Sequence, residues 1–551
     1  MIRLLFLLCF FPLLLALRGV FSLLLWLRIR RAGVLELVLD HSRLQKNPLW
    51  MRGLEQAIVL CNIRAVHLRI RPAKRGWATL QELRGGLGRI SESGVPILVT
   101  LESADTESLY LASVCDEVYL APLGDLMFSG VAMELVFLGE ALERFGVEFE
   151  VVSAGEYKSA AEPLSRSYAS PANRRALKTL VTDLHTQVRK AIAEGRNLDE
   201  AEVQVWMDKG IVSAADALEA GLVDGVMYEH AIEECLKRRL GKSGRVIKTK
   251  RLERSFRMLR RLTPVWRRKS RIHVLHLEGA IMRDGPRFSR KTRITQEESL
   301  AAIEALIDSP PDGVVLYINS PGGSALVSDI IWEAMERLVA KVPVVACFGN
   351  VSASGGYYVA AGCREIVAQP LGLTGSIGVI SGKLVLGEAL ARLGVHVERV
   401  AGAEGGEVLS TTRPLTEIQR RHLKDRVREI YAEFKGRVGA GRGMDSDAVE
   451  AVAQGRVWSG SQAHTEGLVD HLGGIDCAIE RVCALAEISP KRAAIHYQLV
   501  EKAKPFWARM LGGDAQAFVS RLEGMVGTEV LVIASHPREP LAMWPVEMRQ
   551  D

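Results

Sequence analysis

The sequence predicts an α/β protein built from two tandem copies of one unit, each a mostly parallel sheet flanked by helices. Three observations predict it. Apolar, strand-like runs alternate with helical patterns. The two halves echo each other at a nearly constant offset. Glycine-bearing turns follow successive strand-like runs in the second half.

The chain opens on an apolar run, Leu4 to Leu27, broken only by Pro12, Arg18, Gly19 and Ser22. As a helix it would span roughly 36 Å, enough for a bilayer core of about 30 Å. No small-x-small cleavage site follows, so residues 1–31 are expected to be a retained membrane anchor. Arg28, Arg30 and Arg31 flank its far end, against Arg3 before it, and positive-inside logic would leave the bulk of the chain in the cytoplasm.

After the anchor, VLELVLD, AVHLRI and VPILVT read as buried strands of a first domain, 32–236. RIHVLHLEG, GVVLYIN and VPVVACF read likewise in a second domain, 272–551, with helical patterns such as EALIDSP between them. SLYLASVCDEVYLAP (108–122) matches GYYVAAGCREIVAQP (356–370), and LGEALERFGV (138–147) matches LGEALARLGV (386–395), both at an offset of 248. GLVDGV (221–226) echoes GLVDHL (467–472) at 246. An offset held over this distance indicates a duplication, where two unrelated amphipathic helices would match only by chance.

Between the copies lies a basic linker, 237–271, with sixteen Lys or Arg and one Glu. The net charge of +6 therefore belongs to this stretch, and the remainder of the chain is acidic. That distribution argues for a local basic segment and not for a nucleic-acid binder throughout. The linker reads as a solvated connector or, through its Leu, Phe, Met and Trp residues, as a membrane-surface contact. The eight cysteines show neither CxxC nor zinc spacing and read as buried thiols. No metal, nucleotide or other cofactor is expected.

The second half concentrates the chemistry. NSPGGS (319–324), SASGGYY (352–358) and LTGSIG (373–378) each carry glycines, and the first two follow strands. In a parallel sheet such loops gather at one end, where ligands bind. Ser354 sits in a GxSxG-like turn with Ser352 in place of the first glycine. Gly322 or Gly323, with Gly355, offers backbone N–H groups suited to an oxyanion hole. A serine hydroxyl needs a base. Yet no histidine lies between Ser354 and His396, and His273 and His276 fall in a strand pattern.

NSPGGS, SASGGYY and LTGSIG, with a degenerate second copy upstream, resemble the signal peptide peptidase A (protease IV) family in its long tandem form. The resemblance covers nearly the whole chain. It implies the ClpP/crotonase-like superfold in both domains and a serine protease with a Ser/Lys dyad. The family's nucleophile motif falls on Ser354. Its lysine motif falls on YKSAAEP (157–163), which gives Lys158, and its TGSIG serine, here Ser376, is the lysine's partner. The repeat supports the assignment. At offset 248, Lys158 faces Gly406 and Ser354 faces Thr106, while IRPAKRG stands where the second copy has INSPGGS. Each copy lacks what the other keeps, so one composite site is expected, with Lys158 desolvated where the two repeats meet. A lone loop lysine is ordinarily a surface residue, and Lys383, nearer Ser354 in sequence, is the rival base.

The resemblance further implies released signal peptides and other hydrophobic peptides as substrates, a homotetramer, and a bacterial cytoplasmic membrane location with periplasmic catalytic domains. This last conflicts with the charge flanks of the anchor. A crotonase-type acyl-CoA enzyme and a catalytically decayed membrane scaffold are the competing readings. The first would need acid/base carboxylates and make Ser354 and Lys158 superfluous. Complete dyad motifs argue against the second.

Overall fold

The computed structural model describes residues 33–39, 47–72, 75–240, 246–253, 270–283, 293–398, 410–500 and 541–543, with a few positions between 400 and 408. The proposed anchor and much of the basic linker lie outside the described residues. Among those described, no helix is long and apolar enough to cross a membrane.

The chain divides into two compact units, residues 1–132 with 185–268, and 133–184 with 269–551. The first holds a six-stranded, all-parallel sheet in the order Val246–Lys248, Val34–Leu39, Ala65–Ile70, Ile97–Leu101, Glu117–Leu120, Gly225–Val226. Its central strands are near-continuous apolar runs because a parallel sheet covered on both faces exposes neither side. Val246–Lys248, within the basic stretch, forms one edge of this sheet.

The second unit is built on strands Arg271–Glu278, Gly313–Ser320 and Val344–Ala353, mutually parallel and in that order. Val344–Ala353 is long enough to serve two neighbours. Its first half pairs with Glu365–Ala368 and its second half with Leu373–Gly375, both parallel. Helix Ala325–Val339 starts at Ser324, whose hydroxyl accepts from the Val327 N–H, and buries Val327, Ile331, Ala334, Met335 and Leu338. Those residues recur every three or four positions, the spacing of one helical face.

A second, mixed sheet completes this unit. Strand Glu148–Ala154, from the front repeat in sequence, pairs antiparallel with Val379–Val385 of the rear repeat along its whole length, Val379 facing Ala154 and Val385 facing Glu148. Glu150 fastens it from within. Its buried carboxylate accepts the Leu415 N–H at 2.8 Å and is paired with the Arg420 guanidinium. Lys158 is expected where the two repeats meet, and the strand that leads to it pairs with a strand of the rear repeat. Residues 133–184 are part of the second compact unit. Leu541–Met543 lies next to this ladder, pairing antiparallel with Val379–Val385 through Leu541 and Ile380 and, on its other side, with Gly322–Ser324.

The duplication appears as repeated elements. Gly139–Arg144 and Gly387–Arg392 are six-residue helices that begin after Leu138 and Leu386 and are followed by the cap residues Phe145 and Leu393.

Candidate active site

Register builds the site. Val351, Ser352 and Ala353 pair with Leu373, Thr374 and Gly375. The next residue on each strand is Ser354 on one and Ser376 on the other, so the two serines emerge side by side. Thr374 holds the approach by donating its hydroxyl to the Ser352 carbonyl at 2.8 Å. The Ser354 N–H donates to the Gly375 carbonyl at 2.8 Å, and its own carbonyl accepts the Tyr358 N–H at 2.9 Å. Ser354 thereby sits between strand and helix Gly355–Ala360 with φ 55° and ψ −117°. Ser376 has φ 52°. Positive φ in a side-chain-bearing residue is strained, and such strain collects at functional sites.

The antiparallel ladder delivers the lysine. Ala154 is the last residue of its strand and faces Val379, so Lys158, four residues on, returns to the level of Ser376. Lys158 Nζ lies 2.7 Å from Ser354 Oγ, 2.9 Å from the Ser376 carbonyl oxygen and 3.0 Å from Ser376 Oγ. The amine, Ser354 and Ser376 are all buried. Burial holds the amine well below its ordinary pKa, because desolvation disfavours the ammonium. A neutral amine has two N–H donors and one lone pair. Donation to the two Ser376 oxygens leaves the lone pair for the Ser354 hydroxyl proton. The arrangement can therefore take a proton from the hydroxyl without a histidine or a carboxylate.

The glycines crowd the same end. An added Cβ on Gly355 would lie 3.2 Å from the Gly323 nitrogen, 3.3 Å from Gly322 Cα and 2.5 Å from Ser328 Oγ. A side chain at 355 would press on Ser328 and crowd the NSPGGS turn, so glycine suits this close approach to Ser354. The Gly322 N–H donates to Ser320 Oγ at 3.1 Å. Gly355 begins its helix, so its N–H has no acceptor within that helix.

The other candidates bond elsewhere. Lys383 Nζ donates to the Ser410 and Val408 carbonyls at 3.1 and 3.3 Å. His276 is buried, its Nδ1 2.7 Å from the Tyr497 hydroxyl, and burial pushes its pKa down to about 4. His273 contacts Gln498 at 3.0 Å. In the first unit, Thr106, the sequence counterpart of Ser354, accepts the Gly130 N–H at 3.1 Å. Arg75, in the segment that replaces the glycine turn, is buried and donates its backbone N–H to the Glu107 carboxylate at 3.2 Å.

One element escaped the sequence reading, the turn Gln454–Arg456. The echo between GLVDGV and GLVDHL extends upstream only to pair Ser213 with Ser459, both helix N-caps, and does not reach this turn.

Comparison with known proteins agrees with this architecture. The model of Clp protease matches residues 290–370, and that of Peptidase family S49 matches residues 89–241 and again 336–489. Fold and family together define a serine protease with a Clp protease-like core. The chain belongs to peptidase family S49, with the family's domain present twice in tandem. It is 29% identical to "Serine protease SPPA, chloroplastic" of Arabidopsis thaliana, over 87% of this chain and 72% of the relative. It is also 29% identical to "Protease 4" of Salmonella typhi, over 82% of this chain and 74% of the relative. A "Protease 4" of Haemophilus influenzae is 28% identical, over 73% of this chain and 66% of that one.

Proposed function

We propose that the protein is a membrane-anchored endopeptidase that degrades released signal peptides and other hydrophobic peptides through a Ser354/Lys158 dyad. The observation that carries the mechanism is the 2.7 Å contact between a desolvated amine and the hydroxyl. Ser354 Oγ forms a bond to the scissile carbonyl carbon as its proton passes to Lys158 Nζ. The carbonyl oxygen becomes an oxyanion held by the N–H groups of Gly355 and Gly323, since that of Gly322 is engaged by Ser320. The C–N bond then breaks as Lys158 returns the proton to the leaving amine, which leaves an ester on Ser354. Water attacks the ester, Lys158 takes the water's proton and passes it to Ser354 Oγ, and the acid is released. Ser376 holds the amine through both steps.

The substrate lies extended along Gly322–Ser324. That edge already accepts an antiparallel strand, the chain's own Leu541–Met543, which supports strand addition as the binding mode. The apolar run Leu4–Leu27 supports anchoring, and family resemblance supports a homotetramer with its catalytic part on the periplasmic side of a bacterial cytoplasmic membrane. The test is turnover of a fluorogenic hydrophobic peptide. Lys158→Ala and Ser354→Ala are expected to abolish it while the far-ultraviolet spectrum is unchanged. Near-normal turnover by either variant overturns the dyad.

A further inference from the structure

Three consecutive residues, Gln454, Gly455 and Arg456, hold both sides of the lysine's environment with their backbones. The Gln454 carbonyl accepts the Tyr157 N–H at 2.8 Å, the Gly455 N–H donates to the Ile377 carbonyl at 2.8 Å, and the Arg456 carbonyl accepts the Ser376 N–H at 2.7 Å. The lysine segment and the Ser376 segment, far apart in sequence, are thus fixed to one turn on either side of the amine. The Gln454 side chain adds a fourth tie, its Oε1 accepting the Glu156 N–H at 2.9 Å.

The turn is itself rigidly held. Gln454 has φ 54°, its N–H donates to the Tyr431 hydroxyl at 3.0 Å, and its side-chain amide donates to Glu450. The Arg456 guanidinium stacks 3.9 Å from the centre of the Trp458 ring. The adjoining residues continue into a ladder, Gly375 pairing antiparallel with Val457. Gly455 has φ 76°, and an added Cβ there would lie 2.6 Å from Lys158 Cβ and 2.7 Å from its Cα and N. No side chain fits between this turn and the lysine backbone.

We infer that the turn Gln454–Arg456 is a positioning element for the proposed dyad, setting where the Lys158 amine stands relative to Ser354 and Ser376. The inference rests on the Ser354/Lys158 reading. The turn bonds to Glu156, Tyr157, Ser376 and Ile377, and so acts on the dyad through the segments that carry Lys158 and Ser376. Displacing a catalytic group by about 1 Å is enough to lower a rate on the order of 10²-fold.

The experiment measures kcat, KM and the pH dependence of kcat/KM on a fluorogenic peptide for the full chain and four variants. Gly455→Ala forces the lysine backbone away. Gln454→Ala removes the ties to Glu156 and Glu450 without adding bulk. Gly394→Ala is the control, because Gly394 has the same left-handed backbone, φ 75°, with nothing within 4 Å of an added Cβ. Lys158→Ala reports on the dyad itself. The expected result is a fall in kcat of about 10²-fold for Gly455→Ala and a smaller fall for Gln454→Ala, with KM near wild type. The acid limb of kcat/KM should move to higher pH in both as the loosened amine regains water, and Gly394→Ala should match wild type. Wild-type kcat and an unmoved acid limb in Gly455→Ala and Gln454→Ala would overturn the inference while leaving an inactive Lys158→Ala, and the dyad, intact. Full activity in Lys158→Ala would overturn both. If Gly455→Ala fails to fold, Gln454→Ala decides alone.

Discussion

Ala154 faces Val379 at the end of an antiparallel ladder, and that pairing brings Lys158 and Ser376 to the same height beside Ser354. A slip of one residue would turn every side chain of the strand to the opposite face. The site's geometry therefore depends on contacts outside it, including the buried Glu150 carboxylate that ties this strand to Leu415 and Arg420.

Glu150→Gln tests that dependence. The amide keeps an acceptor for the Leu415 N–H but loses the charge facing Arg420. Removing one member of a buried ion pair typically costs about 3–5 kcal/mol, less here because Arg420 is partly exposed and the amide still bonds. A lower melting temperature with kcat reduced and KM little changed is expected. Unchanged stability and unchanged kcat would remove this carboxylate from the account.

Ser376→Ala separates the two contacts that Ser376 makes with the amine. It deletes the hydroxyl at 3.0 Å and keeps the carbonyl at 2.9 Å. The lysine stays in place less firmly, so kcat should fall by about 10- to 100-fold, short of the loss in Lys158→Ala. Equal losses in the two variants would mean that Ser376 is as indispensable as Lys158.

The lowered pKa of Lys158 has consequences for both rate and stability. In the proposed dyad the amine must be neutral to take a proton, so kcat/KM should fall as pH drops through its folded-state pKa, well below the ordinary lysine value of about 10.4. In the window between the folded-state pKa and the ordinary one, the unfolded chain binds the extra proton. Stability then rises with pH across that window. Lys158→Met fills similar space without an ionisable group. It should unfold at a higher temperature than wild type at neutral pH, and the difference should shrink as pH approaches about 10. A Lys158→Met protein less stable than wild type at neutral pH would show that the amine's hydrogen bonds outweigh its desolvation.

The segments that carry Ser354, Lys158 and the glycine turns stood out in the sequence because each is a short motif and because the two copies differ in complementary places. The parallel strands were legible as continuous apolar runs. The placement of Glu148–Ala154 was not. Its sequence lies inside the front repeat, and an alternating strand carries no mark of which partner it will pair with. The turn at Gln454–Arg456 was also hidden, because its role lies in backbone groups, which every residue has. Two of its residues, Gln454 and Gly455, have positive φ, and of these only the glycine is a residue type that marks such a backbone in sequence.

Deleting residues 541–551 should expose the edge Gly322–Ser324 that Leu541–Met543 now pairs with. If peptides bind by adding a strand there, the truncated protein should show a KM several-fold lower at unchanged kcat. An unchanged KM would place substrate elsewhere or show that the tail does not compete.

The most direct measurement is the rate at which a fluorophosphonate labels the protein, with the modified residue located by mass spectrometry. A single adduct on Ser354 is predicted, forming at least about 10³-fold more slowly in Lys158→Ala while that variant keeps its melting temperature or gains on it. Labelling of Lys158→Ala at the wild-type rate, or an adduct on another residue, would contradict the claim that a neutral lysine activates this serine.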